Sequence, residues 1–207
     1  MLGELERAYE RLDALLGLRP DRRIRVVVYD PARFDAQFRG LFRFPAAGFY
    51  GGTICVRGDT RVTAALARTL HHELVHAALD GAAPSLVLPG WVNEGGAEWF
   101  EMRAALGRRG LASNERAALA GLAGQGELHS LAALSAPSFG QLGPRAASIA
   151  YLQSYALVDF LARQGGERKL ARFYAELLRT KSLDRALRSI YRLDANSLEA
   201  RFFAELG

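Results

Sequence analysis

His71-His72-Glu73-Leu74-Val75-His76 is the stretch on which the reading of this chain turns, because it contains the pattern H-E-x-x-H. On a helix, residues four apart share a face, so His72 and His76 can present two imidazoles to one metal ion. Glu73 flanks the same position, where a carboxylate can act as general base towards a water on that ion. Zinc takes nitrogen, sulfur and carboxylate donors in a tetrahedral arrangement, and a catalytic zinc keeps three protein ligands and one open place. Cobalt or manganese would accept the same donors. The pattern therefore calls for a third ligand from another part of the chain.

Downstream lies Trp91-Val92-Asn93-Glu94-Gly95-Gly96-Ala97-Glu98-Trp99-Phe100-Glu101. The intervening chain is long enough for the first helix to end, turn at Pro89-Gly90 and return as a second. On that second helix Glu94, Glu98 and Glu101 share one face by four- and seven-residue spacing. A carboxylate stripe beside Trp91, Trp99 and Phe100 is an odd choice for a core face, and it suits a metal site. Asn93 reads either as a helix cap or as a partner to a ligand.

Around this pair the periodicities assign the rest. Leu2 to Leu16 is apolar at helical spacing, and Ile24 to Tyr29 is a β-branched strand stopped at Asp30-Pro31. Ala32 to Phe38 reads as a short helix, and Gly48 to Gly58 as a glycine-broken strand or hairpin. The H-E-x-x-H helix is expected over Arg61 to Leu79, capped by Asp59 or Thr60, with Pro84 to Pro89 as connector and the next helix over Val92 to Leu106. Asn114 to Leu122 is a further helix. Gly124 to Gly143 is loop-like. Pro144 starts a helix running to Arg163, and two or three helices fill Glu167 to Leu206, one capped by Ser182. There is no internal repeat. Strands come first and helices follow, which makes the fold α+β. The whole of 1-207 reads as one domain, with an N-terminal lobe (1-80) holding the strands and the H-E-x-x-H helix and a helical C-terminal lobe (81-207) across a cleft.

The H-E-x-x-H helix followed by W-V-N-E-G-G-A-E-W-F-E resembles the gluzincin metallopeptidases, particularly compact peptidase MA-like domains, and is similar to the catalytic domains of thermolysin and aminopeptidase N. The resemblance implies a zincin-like fold with a small mixed sheet. It implies one zinc ion per chain held by His72, His76 and Glu94, and hydrolysis of peptide bonds with Glu73 as general base. Glu98 would steady a ligating histidine, and Glu101 matches a further acidic position. Ile149 to Leu161 looks like the family's later helix, whose tyrosine points at the substrate carbonyl. Tyr151 holds that place, with Tyr155 as the substitute. Gly48 to Val56 falls where the family places an edge strand along the cleft, so Gly51, Gly52, Thr53 and Ile54 are expected to meet the substrate backbone. Aminopeptidases of the superfamily carry a glutamate there. None occurs between Gly48 and Val56, which favours an endopeptidase.

Composition sets the frame. The 207 residues carry a formal charge of +5, and the pI of about 9.7 reflects arginines spread from Arg7 to Arg201. Dispersed arginine reads as a solvated surface, and no nucleic-acid motif accompanies it, so the expected partner is a peptide or protein rather than a nucleic acid. Nothing in the pattern assigns an oligomeric state. Cys55, the one cysteine, cannot form an internal disulfide and reads as a small apolar strand residue. The start lacks a signal-peptide pattern and no apolar run spans a membrane, so a cytoplasmic location is the default expectation. His71 points off the metal face, His129 sits in the loop-like region, and Gln153 reads as a polar helix residue. Three rival readings remain: a catalytically silent zinc- or peptide-binding module of the same fold, a DNA-associated metallopeptidase, and, third in order, a hydrolase acting on something other than a peptide. The related crosslink-repair proteases use a third histidine, and the spare ones here are His71 and His129.

Overall fold

The computed structural model describes residues 2–20, 23–58 and 61–206. Helix α1 (Leu2–Leu16) buries Ala8, Leu12 and Leu16, four residues apart on one stripe. Burying each leucine contributes about 1.5–3 kcal/mol. Strand β1 (Val26–Tyr29) leads into α2 (Pro31–Gln37), where the Asp30 side chain accepts from the Arg33 N–H and Pro31 occupies the first turn. Strands β2 (Gly48–Tyr50) and β3 (Ile54–Arg57) form an antiparallel hairpin, and β1 pairs in parallel with β3. The order is therefore β1-β3-β2, a small mixed sheet with β2 on one edge.

Helix α3 (Ala64–Ala82) carries the H-E-x-x-H residues. Its cap is Thr63, whose hydroxyl accepts from the Leu66 N–H at 3.1 Å. Asp59 and Thr60, expected as caps, lie outside the described residues, and the helix starts later than the apolar pattern suggested. Helix α4 (Gly90–Ala104) follows, then α5 (Ser113–Gly124), a four-residue α6 (Leu131–Leu134) and α7 (Pro144–Arg163). The stretch expected to be loop thus contains one turn of helix, capped by Ser130. Helices α8 (Glu167–Thr180), α9 (Leu183–Ala186, capped by Ser182) and α10 (Ala195–Leu206) complete the chain, with a π-helical turn over Leu187–Tyr191. The fold is α+β and zincin-like, as expected. Among the described residues no helix is long and apolar enough to cross a membrane.

The boundary near residue 80 does not divide the core. Leu12 and Leu16 of α1 and Leu74 and Val75 of α3 share one buried cluster with Trp91, Phe160 and Tyr174 of later helices. A smaller cluster of Ile54, Val56, Leu66, Leu70 and Ala77 seals the sheet onto α3. Buried His71 explains part of the join. Its Nε2 meets the Glu4 carboxylate of α1 at 2.9 Å, so this histidine ties two helices and takes no part in the metal face. Cys55 is buried in the central strand, in keeping with its apolar reading.

Helix α4 packs chiefly against α7 and α3, with α1 and α6 beside them. A Cβ at Gly95 would fall against the carbonyl carbon of Ser154 on α7, at 2.8 Å, and one at Gly96 would fall 3.0 Å from Cζ of Tyr174 on α8. The Tyr174 hydroxyl, lodged over Gly96, donates to the Val92 carbonyl at 2.9 Å. Gly95 therefore lets α4 approach α7 more closely than side-chain ridges allow, and Gly96 leaves room for the end of the Tyr174 side chain from α8. Gly95→Ala or Gly96→Ala is expected to destabilise the protein by about 1–3 kcal/mol through overpacking. Urea unfolding of each variant checks this, and an unchanged midpoint would contradict the packing account.

Candidate metal centre

His72 and His76 lie one turn apart on α3, with ring centroids 4.9 Å apart, and both turn towards the first turns of α4. Their Nε2 atoms stand 3.3 Å and 3.4 Å from the same oxygen, Oε2 of Glu94. The three ligand atoms all lie within 4.8 Å of one another. In a tetrahedral shell with bonds of about 2.0–2.1 Å, neighbouring donors sit about 3.4 Å apart. Two nitrogens and a carboxylate oxygen at this spacing fit a zinc ion in both chemistry and distance.

The far ring nitrogens are also held. His76 Nδ1 donates to Asn93 Oδ1 at 3.0 Å, and the cap position of α4 is Pro89, not Asn93. His72 Nδ1 stands 3.4 Å from Glu101 Oε2 and 3.7 Å from Glu98 Oε1. The sequence reading gave this task to Glu98, and Glu101 is the nearer partner. Arg68, one turn before His72, donates to the other Glu101 oxygen at 2.6 Å and fixes that carboxylate in place. Holding a ligating imidazole from its far side fixes its tautomer and direction. Arg68 was missed from the sequence, although its four-residue spacing from His72 placed it on the ligand face.

The cluster lines a cleft of about 640 Å³ between α3, α4, the β2 edge and α7. Glu73 faces it, and its Oε2 is buried with no hydrogen-bond partner among the described residues. An unsatisfied buried carboxylate oxygen is costly unless a ligand or water meets it. Tyr151 of α7 lines the same cleft, its ring held edge-on by Phe44 at 6.0 Å and Phe139 at 5.5 Å. Burial and the carboxylates of Glu94, Glu73 and Glu98 raise its pKa, so the phenol stays protonated. Tyr155, the substitute for that role, lies a turn further along α7, buried in the core beside Asp159 and Arg108. From the hairpin, Gly48 to Gly52 reach the cleft. Thr53 does not line it, and Ile54 is fully buried in the central strand, so neither is placed to meet a substrate.

The family model of the peptidase MA superfamily matches residues 6–206. The chain belongs to that superfamily. Comparison with curated proteins and with solved structures returns no match. Superfamily members generally bind zinc, and the His72, His76 and Glu94 group of this peptidase MA domain could hold a metal ion.

The electrostatics of the peptidase MA domain suit that role. Burial works against the His72 imidazolium, but Glu101, Glu94 and the other carboxylates around it raise its pKa well above the usual value. His76 is raised in the same way, chiefly through Glu94. Burial alone would raise Glu94, yet the two histidines hold it far below the ordinary carboxylate range. Burial raises Glu73 against the pull of both histidines, and raises Glu98 further with help from Glu101 and Glu94. Gln153 and His129 are elsewhere. The Gln153 amide brackets His129, accepting from its N–H at 2.9 Å and donating to its carbonyl at 2.7 Å, which pins the loop before α6 onto α7.

Two outcomes follow from this geometry. Raised histidine pKa values mean that protons compete with the ion below those values, so zinc affinity is expected to climb steeply from pH 6 to pH 8. Chelator competition across that range checks it, and a flat profile would contradict the pairing. Asn93→Ala is expected to weaken zinc binding about tenfold, and Glu94→Ala by far more. A fully metallated Glu94→Ala protein would sink the ligand assignment.

Proposed function

We propose that this protein is a zinc-dependent peptidase, cutting peptide bonds internally, with one zinc ion held by His72, His76 and Glu94. The observation that carries the reading is the buried, partnerless Glu73 oxygen facing the ligand cluster. A carboxylate with a raised pKa, beside a metal site and without a structural partner, is what a general base near neutral pH requires. A purely structural metal site has no use for it.

Zinc, when bound, would supply Lewis-acid polarisation of a carbonyl and acidify a water in its open place. Glu73 then accepts the proton of the attacking water and passes it to the leaving amine. Burial of Glu73 favours both roles, because a carboxylate lifted towards neutrality accepts and returns a proton with little cost in either direction. Tyr151, kept protonated by burial and the surrounding carboxylates, donates its O–H to the oxyanion that develops on the substrate carbonyl. Edge strand β2 and the turn after it, Gly48 to Gly52, offer backbone groups to an extended substrate.

Internal cutting is supported by the shape of the space around the ligands. The cleft continues past His72, Glu73 and Tyr151 into a second cavity of about 360 Å³ bounded by Arg68, Glu98 and Glu101. Room on both sides of the ligand cluster suits a chain that passes through. Asp80, an acid in the main cleft, accepts from the Tyr50 hydroxyl at 2.8 Å.

Glu73→Gln is expected to keep its zinc while turnover falls about 10²–10⁴-fold. Tyr151→Phe should lower kcat with KM nearly unchanged, since its hydrogen bond strengthens in the transition state. A mixed peptide library digested by the wild type and read by mass spectrometry, with metal content measured alongside, tests both. Equal cutting by Glu73→Gln at equal zinc would end the assignment.

A further inference from the structure

The surface behind the cleft carries the protein's whole excess of positive charge. Residues 167–192 hold eight lysines and arginines against three carboxylates, which equals the formal charge of +5, so the rest of the chain is neutral in sum. Along the sequence the arginines look dispersed, and the fold gathers these on one face. On α8, Arg168, Arg172 and Arg179 are exposed and lie four and seven residues apart, in a stripe about 16 Å long. Leu170, Phe173, Tyr174 and Leu177 fill the opposite face of that helix. Tyr174 rests over Gly96, on the far side of α4 from Glu94, so the stripe faces away from the ligand cluster. Past the end of α8, Arg179, Arg185 and Arg188 line a hollow of about 610 Å³ with Glu176, Thr180 and Ser189.

The carboxylates do not neutralise this face. Glu167 is turned onto Arg103 of α4, at 3.3 Å. Glu176 accepts from Nε and Nη2 of Arg179 at 2.9 Å and 2.6 Å, and Asp184 accepts from Nε of Arg188 at 2.8 Å and 3.0 Å. These pairs fix both guanidinium groups and leave their remaining N–H groups to solvent. The side chains of Arg168, Arg172 and Arg185 have no ion-pair partner among the described residues. Folding does not account for them. Arg168 stands in the first turn of α8, where a cation opposes the helix dipole, and it repels Arg172 one turn on. Lys181 and Arg192, by contrast, end α8 and the π-helical turn, where the dipole favours positive charge.

We infer that this face binds the phosphate backbone of duplex nucleic acid without reading its sequence. Arginine suits phosphate because its fork donates to two oxygens at once, and six of the eight cations are arginine. A lipid surface fits less well. A helix that enters a membrane interface needs an apolar face to bury there, and the apolar face of α8 is packed into the core. A single strand also fits less well, because its bases stack on exposed aromatic rings. The five exposed large apolar side chains among the described residues, Leu2, Tyr9, Leu41, Val87 and Leu106, all stand on other elements. The inference is independent of the peptidase reading, since the cleft lies on the other side of α4.

The test is the fluorescence anisotropy of a labelled DNA duplex titrated with the full chain. Binding is expected in the micromolar range at about 50 mM salt, weakening about 10–100-fold by about 200 mM as counterions are released. A variant combining Arg168→Gln, Arg172→Gln and Arg185→Gln is expected to bind at least about tenfold more weakly, with a log–log salt slope lower by about two to three. Replacing the same three residues by lysine keeps the charge and is expected to keep the slope, which separates lost contact from lost fold. A control combining Arg39→Gln, Arg109→Gln and Arg145→Gln removes equal charge elsewhere and is expected to bind like the wild type. No binding at low salt, equal weakening by both glutamine variants, or full binding by the first would overturn the inference. Tighter binding to a single strand, or to vesicles of phosphatidylserine and phosphatidylcholine, than to the duplex would also overturn it. So would binding that depends on the duplex sequence or on zinc content.

Discussion

The contact of α4 with α7 and α8 at Gly95 and Gly96 is the constraint from which the site follows. Helices at ordinary separation keep ridges of side chains between their backbones, about 8–10 Å from axis to axis. Removing two Cβ atoms lets α4 settle against the Ser154 carbonyl and under Tyr174. Glu94 is the residue before this notch, so its position relative to α3 is set by backbone packing and not by a flexible side chain. Tyr151 is three residues before Ser154 on α7, so the same contact sets the distance between the Glu94 carboxylate and the Tyr151 phenol. The geometry of a site is held best on rigid elements, and here one helix-to-helix contact positions two of the groups in the proposed mechanism.

Electrostatics supply a second dependence. Glu73, Glu94, Glu98 and Glu101 all stand in partly or fully buried surroundings, faced by His72, His76 and Arg68. Charges out of water must be paired, and a cluster rich in carboxylates satisfies itself poorly with two imidazoles and one guanidinium. A divalent cation at the point where both imidazoles and Glu94 converge would restore the balance. The raised histidine and lowered Glu94 pKa values are two views of one attraction, while Glu98, raised by burial and by Glu101 and Glu94, marks the deficit of positive charge.

Much of this was readable from residue order. The α3 ligand pair, the return helix with its carboxylate face and the span of α7 from Pro144 to Arg163 followed from spacing, because helical periodicity is a local property. What escaped was set by contacts between distant segments. Glu98 and Glu101 share a helix face, and only Arg68, 33 residues away from Glu101, decides which of them stands by His72. Ile54 seemed as eligible for the cleft as Gly51, because strand order in a sheet leaves no mark in a four-residue stretch. Tyr151 and Tyr155 are one turn apart, and their separation into cleft and core depends on where α4 crosses α7. The cap at Thr63 was missed because three Ser/Thr/Asp candidates crowd the start of α3, and local preference cannot rank them.

The glycine pair has a consequence for reading descent. In the proposed function Glu94 answers to chemistry, while Gly95 and Gly96 beside it answer to packing, so the two demands on neighbouring positions can be lifted separately. A duplicate gene freed from catalysis could exchange Glu73 or Glu94 at little cost to its architecture, yet it would have to keep both glycines or rebuild three helices around a new side chain. In such a lineage the glycines would mark common ancestry and the two glutamates would mark a working enzyme, which makes adjacent letters of one short motif independent witnesses.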